Sequence, residues 1–391
     1  MLSLLEAFLG CPSWCMPPHN TYLRAVAYKG SCPLPTLFDP IQLGDIAARN
    51  RILMAPLTRG RSTTEHVPTD IMIDYYTQRA AAGVLITEGT GVSRLGLGWP
   101  NAPGLWTAEQ VEAWKPVTAA VHEAGGRIVA QIWHMGRLAR PDVTGLTPLS
   151  SSVTRAPYHT PENPYAEARA ATLDDIRQAQ DDYATAARAA IAAGFDGVQL
   201  HGANGYLIDQ FLRDNTNLRD DDYGGSPENR IRFMKEAVSA VIAEVGAGRT
   251  AIRLSPNGET QGADDSNPEA VFVPAAKALN DLGIAFLELR ELSPTGSFGT
   301  SDVPKLSPKI REVFTGPLIL NQDYTFEAAE ADVTSGLADG ISFGRKFISN
   351  PDLVDRFRTG AELAPDNFKT WYTPGPEGYI DYPALEDAAA E

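Results

Sequence analysis

The chain has 391 residues, 43% of them apolar, a net charge of −16 and three cysteines, all within the first 32 positions. A chain of this length can bury a large core, as two or three domains or as one α/β barrel. The negative charge disfavours nucleic acid and anionic membrane surfaces as partners. Because no cysteine occurs after position 32, the folded body depends on neither disulfides nor cysteine ligands.

The N-terminal segment, 1–34, matches no periodic pattern, and we predict a poorly ordered extension. Its apolar start, 1–9, lacks the basic residues of a signal peptide and is shorter than the roughly 20 residues that span a bilayer. We therefore expect a cytoplasmic protein, monomeric or homodimeric, that binds no membrane. A single barrel domain is predicted over 35–383, followed by a tail, 384–391.

Eight aliphatic runs alternate with segments of helical spacing along the body of the chain. The runs are 51–56, 84–88, 127–134, 197–201, 250–255, 286–290, 317–321 and 340–344, and the predicted helices include 107–124, 173–193, 228–245 and 267–282. Strands that alternate with helices are parallel. Eight such units in about 300 residues favour an α/β fold of the (β/α)8 TIM-barrel type over the alternative, an open doubly wound sheet.

Two segments between and after these units are irregular. Residues 138–171, after the third strand, are rich in Pro, Ser and Thr, and they predict an irregular cap over one barrel mouth. Residues 369–383 contain Trp371, Tyr372, Tyr379 and Tyr382, and we expect this aromatic segment to fold back onto the barrel.

Polar residues follow the predicted strands, and in a barrel such strand ends converge at one mouth. The strand ends are 56–58, 88–89, 131–134, 201–206, 253–255, 321–323 and 344–345. They include no His/Cys/carboxylate set at metal spacing, no paired carboxylates and no nucleophile elbow. No metal site is predicted.

The eighth strand end offers a site for an anion. The loops after the last two strands of a barrel commonly hold a phosphate, and Gly344, Arg345 and Lys346 supply a flexible residue and two cations. The alternative is that Arg345 pairs with a surface carboxylate.

Gln131 and Arg253 lie inside apolar runs, where each needs a polar partner. A planar heterocycle with carbonyl and imide edges would supply one. The alternative is pairing inside the barrel with Glu88 or Glu288.

After the fourth strand, His201, Asn204 and Tyr206 form a third polar group. Singly, each fits a structural role. Together they offer two donors for a substrate oxygen and a phenol that stays protonated at neutral pH, a set suited to polarising a carbonyl and protonating a neighbouring carbon.

The chain resembles the Old Yellow Enzyme family of FMN-dependent ene reductases from about residue 36 to residue 383. The resemblance is carried, in order, by NRILMAPLTR (50–59), QIWH (131–134), HGANGYL (201–207), DYGGSPENR (222–230), FGRKFISNPDL (343–353) and GYIDYP (378–383). It implies a TIM barrel with non-covalent FMN at the carboxyl-terminal mouth.

Matching positions imply a role for each cofactor-binding residue. Pro56, Leu57 and Thr58 would line the flavin, with Thr58 near its C4 carbonyl. The pyrimidine edge would be held by Gln131 and Arg253. The phosphate would be held by the backbone around Gln322, Asp323, Gly344 and Arg345. Gly89 would also bind the cofactor.

The resemblance also implies a reaction. NADPH would reduce the flavin and leave, and an α,β-unsaturated carbonyl, maleimide or nitro compound would then take its place. His201 and Asn204 would bind its oxygen, flavin N5 would deliver hydride to the β-carbon, and Tyr206 would protonate the α-carbon from the opposite face. The substrate pocket would be shaped by Trp99, Trp133 and Tyr372.

The sequence differs from the family at two of these positions, and two other functions remain as alternatives. Asp323 lies where many relatives have glycine, so its carboxylate must turn away from the phosphate or weaken its binding. Trp99 lies where many relatives have tyrosine. The alternatives are a flavin-binding protein with a non-catalytic role and a flavin-free barrel aldolase or isomerase.

Overall fold

A computed structural model describes residues 34–157, 160, 164–297 and 299–385. The chain divides between Leu34 and Pro35. Apart from Leu34, the predicted N-terminal extension lies outside the described residues, as do the three cysteines and residues 386–391. The division into extension, barrel domain and tail therefore stays a prediction.

Within the described part of the chain, eight parallel strands close into a barrel: β3 (Ile52–Met54), β4 (Leu85–Ile86), β6 (Ile128–Trp133), β9 (Gly197–Gly202), β10 (Thr250–Leu254), β11 (Phe286–Arg290), β12 (Leu318–Asn321) and β13 (Gly340–Phe343). The closing pair is β13 with β3, which align Ile341 with Ile52. Each strand lies within its predicted run, except that β9 extends one residue beyond it. The predicted TIM barrel is confirmed. The alternative of an open sheet is wrong, because each of the eight barrel strands pairs with a neighbour on both sides.

Among the residues that the structure describes, five short strands lie outside the barrel ladder. Two form an antiparallel hairpin at the amino-terminal end, one extends the second barrel strand, and two lie in the insertion: β1 (Ile41–Leu43), β2 (Ile46–Ala48), β5 (Thr90–Gly91), β7 (Leu149–Ser150) and β8 (Arg169–Ala170). The hairpin packs with strand residues such as Val84 and Phe286 in one apolar cluster. It closes the amino-terminal end of the barrel and leaves the opposite mouth for a site.

The helices are α1 (Ile71–Thr77), α2 (Ala108–Glu123), α3 (Pro141–Thr144), α4 (Leu173–Ala192), α5 (Leu207–Leu212), α6 (Pro227–Arg230), α7 (Arg232–Val245), α8 (Pro268–Leu282), α9 (Ser307–Val313), α10 (Phe326–Thr334), α11 (Arg345–Ser349) and α12 (Leu353–Thr359), with 3₁₀ turns at Gly136–Leu138, Ala247–Arg249 and Phe368–Thr370. Thr107 and Thr172 form capping boxes before α2 and α4. The predicted helix 228–245 is interrupted at Ile231, which separates α6 from α7.

Candidate active site

The barrel interior changes from apolar to polar along its strands. Side chains two residues apart along a strand point to the same side. In β11, Phe286, Glu288 and Arg290 therefore lie at successive depths, from the apolar cluster to the carboxyl end of the strand. In register, Glu288 aligns with Arg253 of β10, and Arg290 aligns with Asn321 of β12. Polar residues remote in sequence are thus brought together at one mouth.

A cavity of ≈ 880 Å³ opens at this mouth, within the range of cofactor and ligand sites. Except for Gly89, every site residue predicted from the sequence lines it: Pro56, Leu57, Thr58, Trp99, Gln131, Trp133, His201, Asn204, Tyr206, Arg253, Gln322, Asp323, Gly344, Arg345 and Tyr372.

The structure does not bring Gly89 to the cavity wall. A Cβ atom on Gly89 would lie 2.4 Å from Cε3 of Trp133, closer than packed atoms approach. The glycine therefore lets the Trp133 indole, which does line the cavity, pack directly onto the backbone behind it.

Several residues that were not predicted from the sequence also line the cavity, among them Arg59, Thr260, Gln261, Arg290, Ser297, Asn321, Ser342, Lys346 and Trp371. Arg290 carried a signal, because it follows Glu288 by two residues in the same strand. Gln261 and Ser297 lie outside strands and helices, where no periodic pattern marks a residue. The insertion 138–171 contributes no described residue to the lining, although Tyr165 packs in one apolar cluster with Trp133 and Tyr206.

His201, Tyr206 and Trp133 form a packed group of rings. The Tyr206 ring meets both His201 and Trp133 edge-on, with centroids 4.8 Å apart in each pair. The Tyr206 side chain is hydrogen-bonded to Gln261, and burial raises the pKa of its phenol despite that bond. Tyr206 is therefore a neutral, fixed O–H group at physiological pH.

His201 is held as a neutral imidazole. Burial, with the nearby charges of Arg253 and Arg290, holds its pKa well below the usual value. Nδ1 of His201 accepts a hydrogen bond from the Ala203 N–H at 3.4 Å. A neutral ring that accepts at Nδ1 carries its proton on Nε2, so Nε2 is the donor of this residue.

Asn204 follows in the left-handed region, at φ 59°, a conformation that asparagine tolerates better than most residues. Its backbone N–H donates to Oγ of Ser255 at 2.9 Å, and Nη1 of Arg290 donates to its side-chain Oδ1 at 3.1 Å. The next residue, Gly205, has φ 77°, and a Cβ there would lie 2.6 Å from the Thr260 carbonyl oxygen. The turn thus requires glycine after Asn204.

Gln131 and Arg253 are joined to a buried polar network. Nε2 of Gln131 donates to Oε1 of Gln199 at 2.8 Å, and Nε2 of Gln199 donates to Oε2 of Glu288 at 2.7 Å. Arg253 donates from Nη2 to Oδ1 of Asn321 at 2.6 Å, with its Nε 3.9 Å from Oε1 of Glu288. Glu288, one of the two alternative partners, therefore lies beside Arg253. It is connected to Gln131 only through the hydrogen bonds of Gln199.

Asp323 and Arg345 meet at the far end of the cavity. They form an ion pair, and both contact Ser297, whose N–H donates to Oδ2 of Asp323 at 2.9 Å. Gln322 and Asp323 are both left-handed, at φ 103° and 55°, which is costly without glycine. The alternative partner of Arg345, a carboxylate, is observed, and that carboxylate lines the same cavity.

The C-terminal aromatic segment folds back onto the barrel, as predicted. Arg59 donates from Nε to the Trp371 carbonyl at 3.0 Å and from Nη2 to the Gly378 carbonyl at 2.6 Å. Trp371 is buried, whereas Tyr372 is 47% exposed at the cavity rim, where its ring lies 5.6 Å from that of Trp99. The segment therefore supplies one wall of the cavity.

The described residues contain no group of three or more His, Cys, Asp or Glu side chains arranged to hold a metal ion. No helix in the described ranges is long and apolar enough to cross a bilayer.

Comparisons with known proteins place this site in a family. The sequence profile of the NADH:flavin oxidoreductase / NADH oxidase family matches residues 36–364. 12-Oxophytodienoate reductase 2 of Arabidopsis thaliana is 40% identical over 372 residues, 92% of this chain and 98% of the relative. The putative 12-oxophytodienoate reductase 11 of Oryza sativa subsp. japonica is 42% identical over 89% of this chain and 97% of its own length.

The chain belongs to the Old Yellow Enzyme family.

Solved structures of the family agree in fold. The old yellow enzyme homologue from Zymomonas mobilis superposes with a TM-score of 0.89 at 60% identity, covering 90% of this chain and all of that one. Morphinone reductase superposes with a TM-score of 0.87 at 40% identity, covering 92% and 99%. The protein is accordingly an oxidoreductase and an FMN flavoprotein of the Old Yellow Enzyme type.

The residues present fit a flavin. Nε of Arg253 is buried and has no hydrogen-bond partner among the described residues, and the Thr58 hydroxyl, on the cavity wall, bonds to none of them. A ring system with carbonyl and imide edges would satisfy both groups.

Proposed function

We propose that the protein is an NADPH-dependent ene reductase that uses FMN to reduce the activated C=C bond of α,β-unsaturated carbonyl, maleimide or nitro compounds. One observation carries the proposal: His201, Asn204 and Tyr206 share one cavity with Gln131 and Arg253. Two neutral oxygen-binding groups and a proton donor therefore face the same space as two groups suited to a flavin edge.

Each end of the cavity suits a different part of the cofactor. Pro56, Leu57 and Thr58 would contact the ring system, and Gln131 and Arg253 would bind its pyrimidine edge. The phosphate would lie by the residues that end the last two barrel strands, Gln322, Asp323, Gly344 and Arg345. When bound, FMN supplies the hydride that reaches the β-carbon of the alkene.

His201 and Asn204 would hold the electron-withdrawing oxygen of the substrate. Nε2–H of His201 is available because Nδ1 accepts from Ala203, and the Asn204 amide N–H₂ is available because its oxygen accepts from Arg290. Two donors on one oxygen withdraw electron density from the conjugated β-carbon, the atom that receives hydride. Trp99, Trp133 and Tyr372 would form the walls of the substrate pocket.

Tyr206 would donate a proton to the α-carbon. Burial raises the pKa of its phenol, so the proton is present throughout the neutral range. The edge-on contacts with His201 and Trp133 fix the ring, which keeps the O–H group within reach of a carbon beside the bound oxygen.

The relatives support this choice of reaction. Two are named 12-oxophytodienoate reductases, one of them as putative, and a third is named morphinone reductase, so all three names are those of reductases. Morphinone reductase has been solved with tetrahydroNAD, a nicotinamide dinucleotide analogue. A reduced nicotinamide as hydride source for this chain is consistent with that complex.

The test measures anaerobic NADPH oxidation by the FMN-loaded protein, with and without 2-cyclohexenone. The proposal predicts steady oxidation only with the enone, and loss of it when His201 and Tyr206 are replaced together. A single reduction of the bound flavin, with no continued NADPH oxidation when the enone is present, would support a flavin-binding protein with another role. A colourless protein that does not take up FMN would contradict the proposal altogether.

A further inference from the structure

Arg290 is a buried cation at the mouth of the barrel, and it connects two parts of the cavity. It is 7% exposed at the end of β11. Nη1 donates to Oδ1 of Asn204 at 3.1 Å, and Nε donates to Oε1 of Gln322 at 3.1 Å. Gln322 in turn donates to Asp323 at 3.0 Å. One guanidinium therefore spans from the substrate end to the predicted phosphate end.

The Asn204 carboxamide has one acceptor atom and one donor atom, so its orientation decides what it offers a ligand. A guanidinium is always a donor and never an acceptor. Arg290 therefore requires Oδ1 on its own side, and a flipped amide would direct N–H groups at a cation. Because the backbone of Asn204 is held by Ser255, rotation of the side chain is the main freedom that remains.

We propose that Arg290 is a positioning residue that makes Asn204 a hydrogen-bond donor toward the cavity, and so selects ligands that present an oxygen acceptor. The inference rests on the proposed role of Asn204 as a substrate-oxygen clamp. Without Arg290, the amide can turn its own oxygen into the cavity, where it repels a carbonyl, nitro or phenolate oxygen.

The charges around the site agree with this role. Burial and the charge of Arg253 lower the pKa of Arg290 to about 10, so the guanidinium still carries its charge at neutral pH. The same two arginines, added to burial, hold the pKa of His201 well below its usual value. Arg290 thus orients the Asn204 amide and favours the neutral form of His201, in which Nε2–H is the donor that remains.

Lysine could not replace this arginine. The planar guanidinium reaches Asn204 and Gln322 through two different nitrogens, whereas an ammonium is a single point donor on a flexible stem. Arg290→Lys keeps the charge and removes the geometry, and therefore separates positioning from plain electrostatic attraction.

The experiment is a double-mutant cycle on the FMN-loaded protein, with 4-nitrophenol titrated by calorimetry. Arg290→Leu and Asn204→Ala should each weaken binding roughly tenfold, as expected for loss of one donor. In the Asn204→Ala background, Arg290→Leu should add less than about twofold. Arg290→Lys should resemble Arg290→Leu. FMN stoichiometry is the control for folding.

Additive losses, or wild-type affinity in Arg290→Lys, would overturn the proposal, because Arg290 would then act on the ligand by charge alone. If Arg290→Leu takes up no FMN, Asn204→Asp replaces it: the carboxylate still pairs with Arg290 but offers no donor. That variant should lose as much affinity as Asn204→Ala, and wild-type affinity would count against the inference. Failure of the wild-type protein to bind the phenol would instead contradict the proposed function.

Discussion

Tyr379 stacks on Tyr75, with ring centroids 4.1 Å apart and ring planes 3° apart. The guanidinium of Arg61 lies 4.6 Å from the Tyr379 centroid, and that of Arg79 lies 3.9 Å from the Tyr75 centroid. Two cations thus enclose two aromatic rings in a four-layer stack. The stack fastens the C-terminal segment, and with it one wall of the cavity, to α1.

Tyr379→Ala should lower the free energy of unfolding by about 3–5 kcal/mol, because it removes a buried ring and leaves a cavity. The measurement is urea unfolding of the FMN-loaded protein. Tyr382→Ala is the matched control, since this tyrosine lies in the same segment but is only half-buried, and it should cost much less. Equal costs for the two variants would show that the stack does not fasten the segment.

Asp323→Asn should strengthen binding of FMN. The Asp323 carboxylate pairs with Arg345 and accepts from Ser297, so it occupies the cation expected to bind the cofactor phosphate and adds a like charge beside it. We expect affinity for FMN to rise several-fold, measured by fluorescence titration of the apoprotein.

Riboflavin provides the control for Asp323→Asn, because it lacks the phosphate. Its affinity should change little, so the ratio of FMN to riboflavin affinity should rise. Arg345→Met should lower that ratio. A ratio that stays the same in both variants would place the phosphate elsewhere.

Stability should fall in mild acid because His134 is buried. Burial lowers its pKa to about 4, whereas the pKa of an unfolded histidine is about 6.5. Between these values the unfolded chain binds a proton that the folded chain does not, so the free energy of unfolding decreases as pH falls, by up to about 1.4 kcal/mol per pH unit.

The check on His134 is urea unfolding at several pH values from 7.5 downwards for the wild type and His134→Asn. Asparagine can still accept from the Gly136 N–H, which donates to Nδ1 of His134 at 3.1 Å, but it does not titrate. The variant should show a shallower loss of stability. Parallel curves would mean that His134 is not the group that titrates.

The barrel could be predicted because its strands and helices are local patterns. Aliphatic runs, the Thr107 and Thr172 caps and the alternating order all appear in sequence. Partners across strands do not. Gln131 aligns with Gln199, and that register depends on how the closed barrel staggers its strands, which periodicity leaves open. The alternative partners named for Gln131 were therefore Glu88 and Glu288, and Gln199 lies between Gln131 and Glu288.

In the candidate site, too, local patterns were predictable from the sequence and tertiary contacts were not. Residues at strand ends, such as His201 and Arg345, were predictable from position, and Arg290 could have been found by continuing the alternation from Glu288. Gln261 could not, because it reaches the cavity from a loop whose course depends on tertiary contacts. Gly89 does not line the cavity, because the Trp133 indole packs against it, and a strand-end position alone does not show this contact.

Reoxidation of the reduced enzyme by an alkene is the direct test of alkene reduction with Tyr206 as the proton donor. The FMN-loaded protein is reduced anaerobically with NADPH and mixed with 2-cyclohexenone by stopped flow, for the wild type and Tyr206→Phe. We predict rapid return of the oxidised flavin spectrum in the wild type and an at least tenfold slower return in Tyr206→Phe, with the rate of flavin reduction by NADPH nearly unchanged. An enone that leaves the wild-type flavin reduced, or equal losses in both half-reactions of Tyr206→Phe, would contradict this prediction.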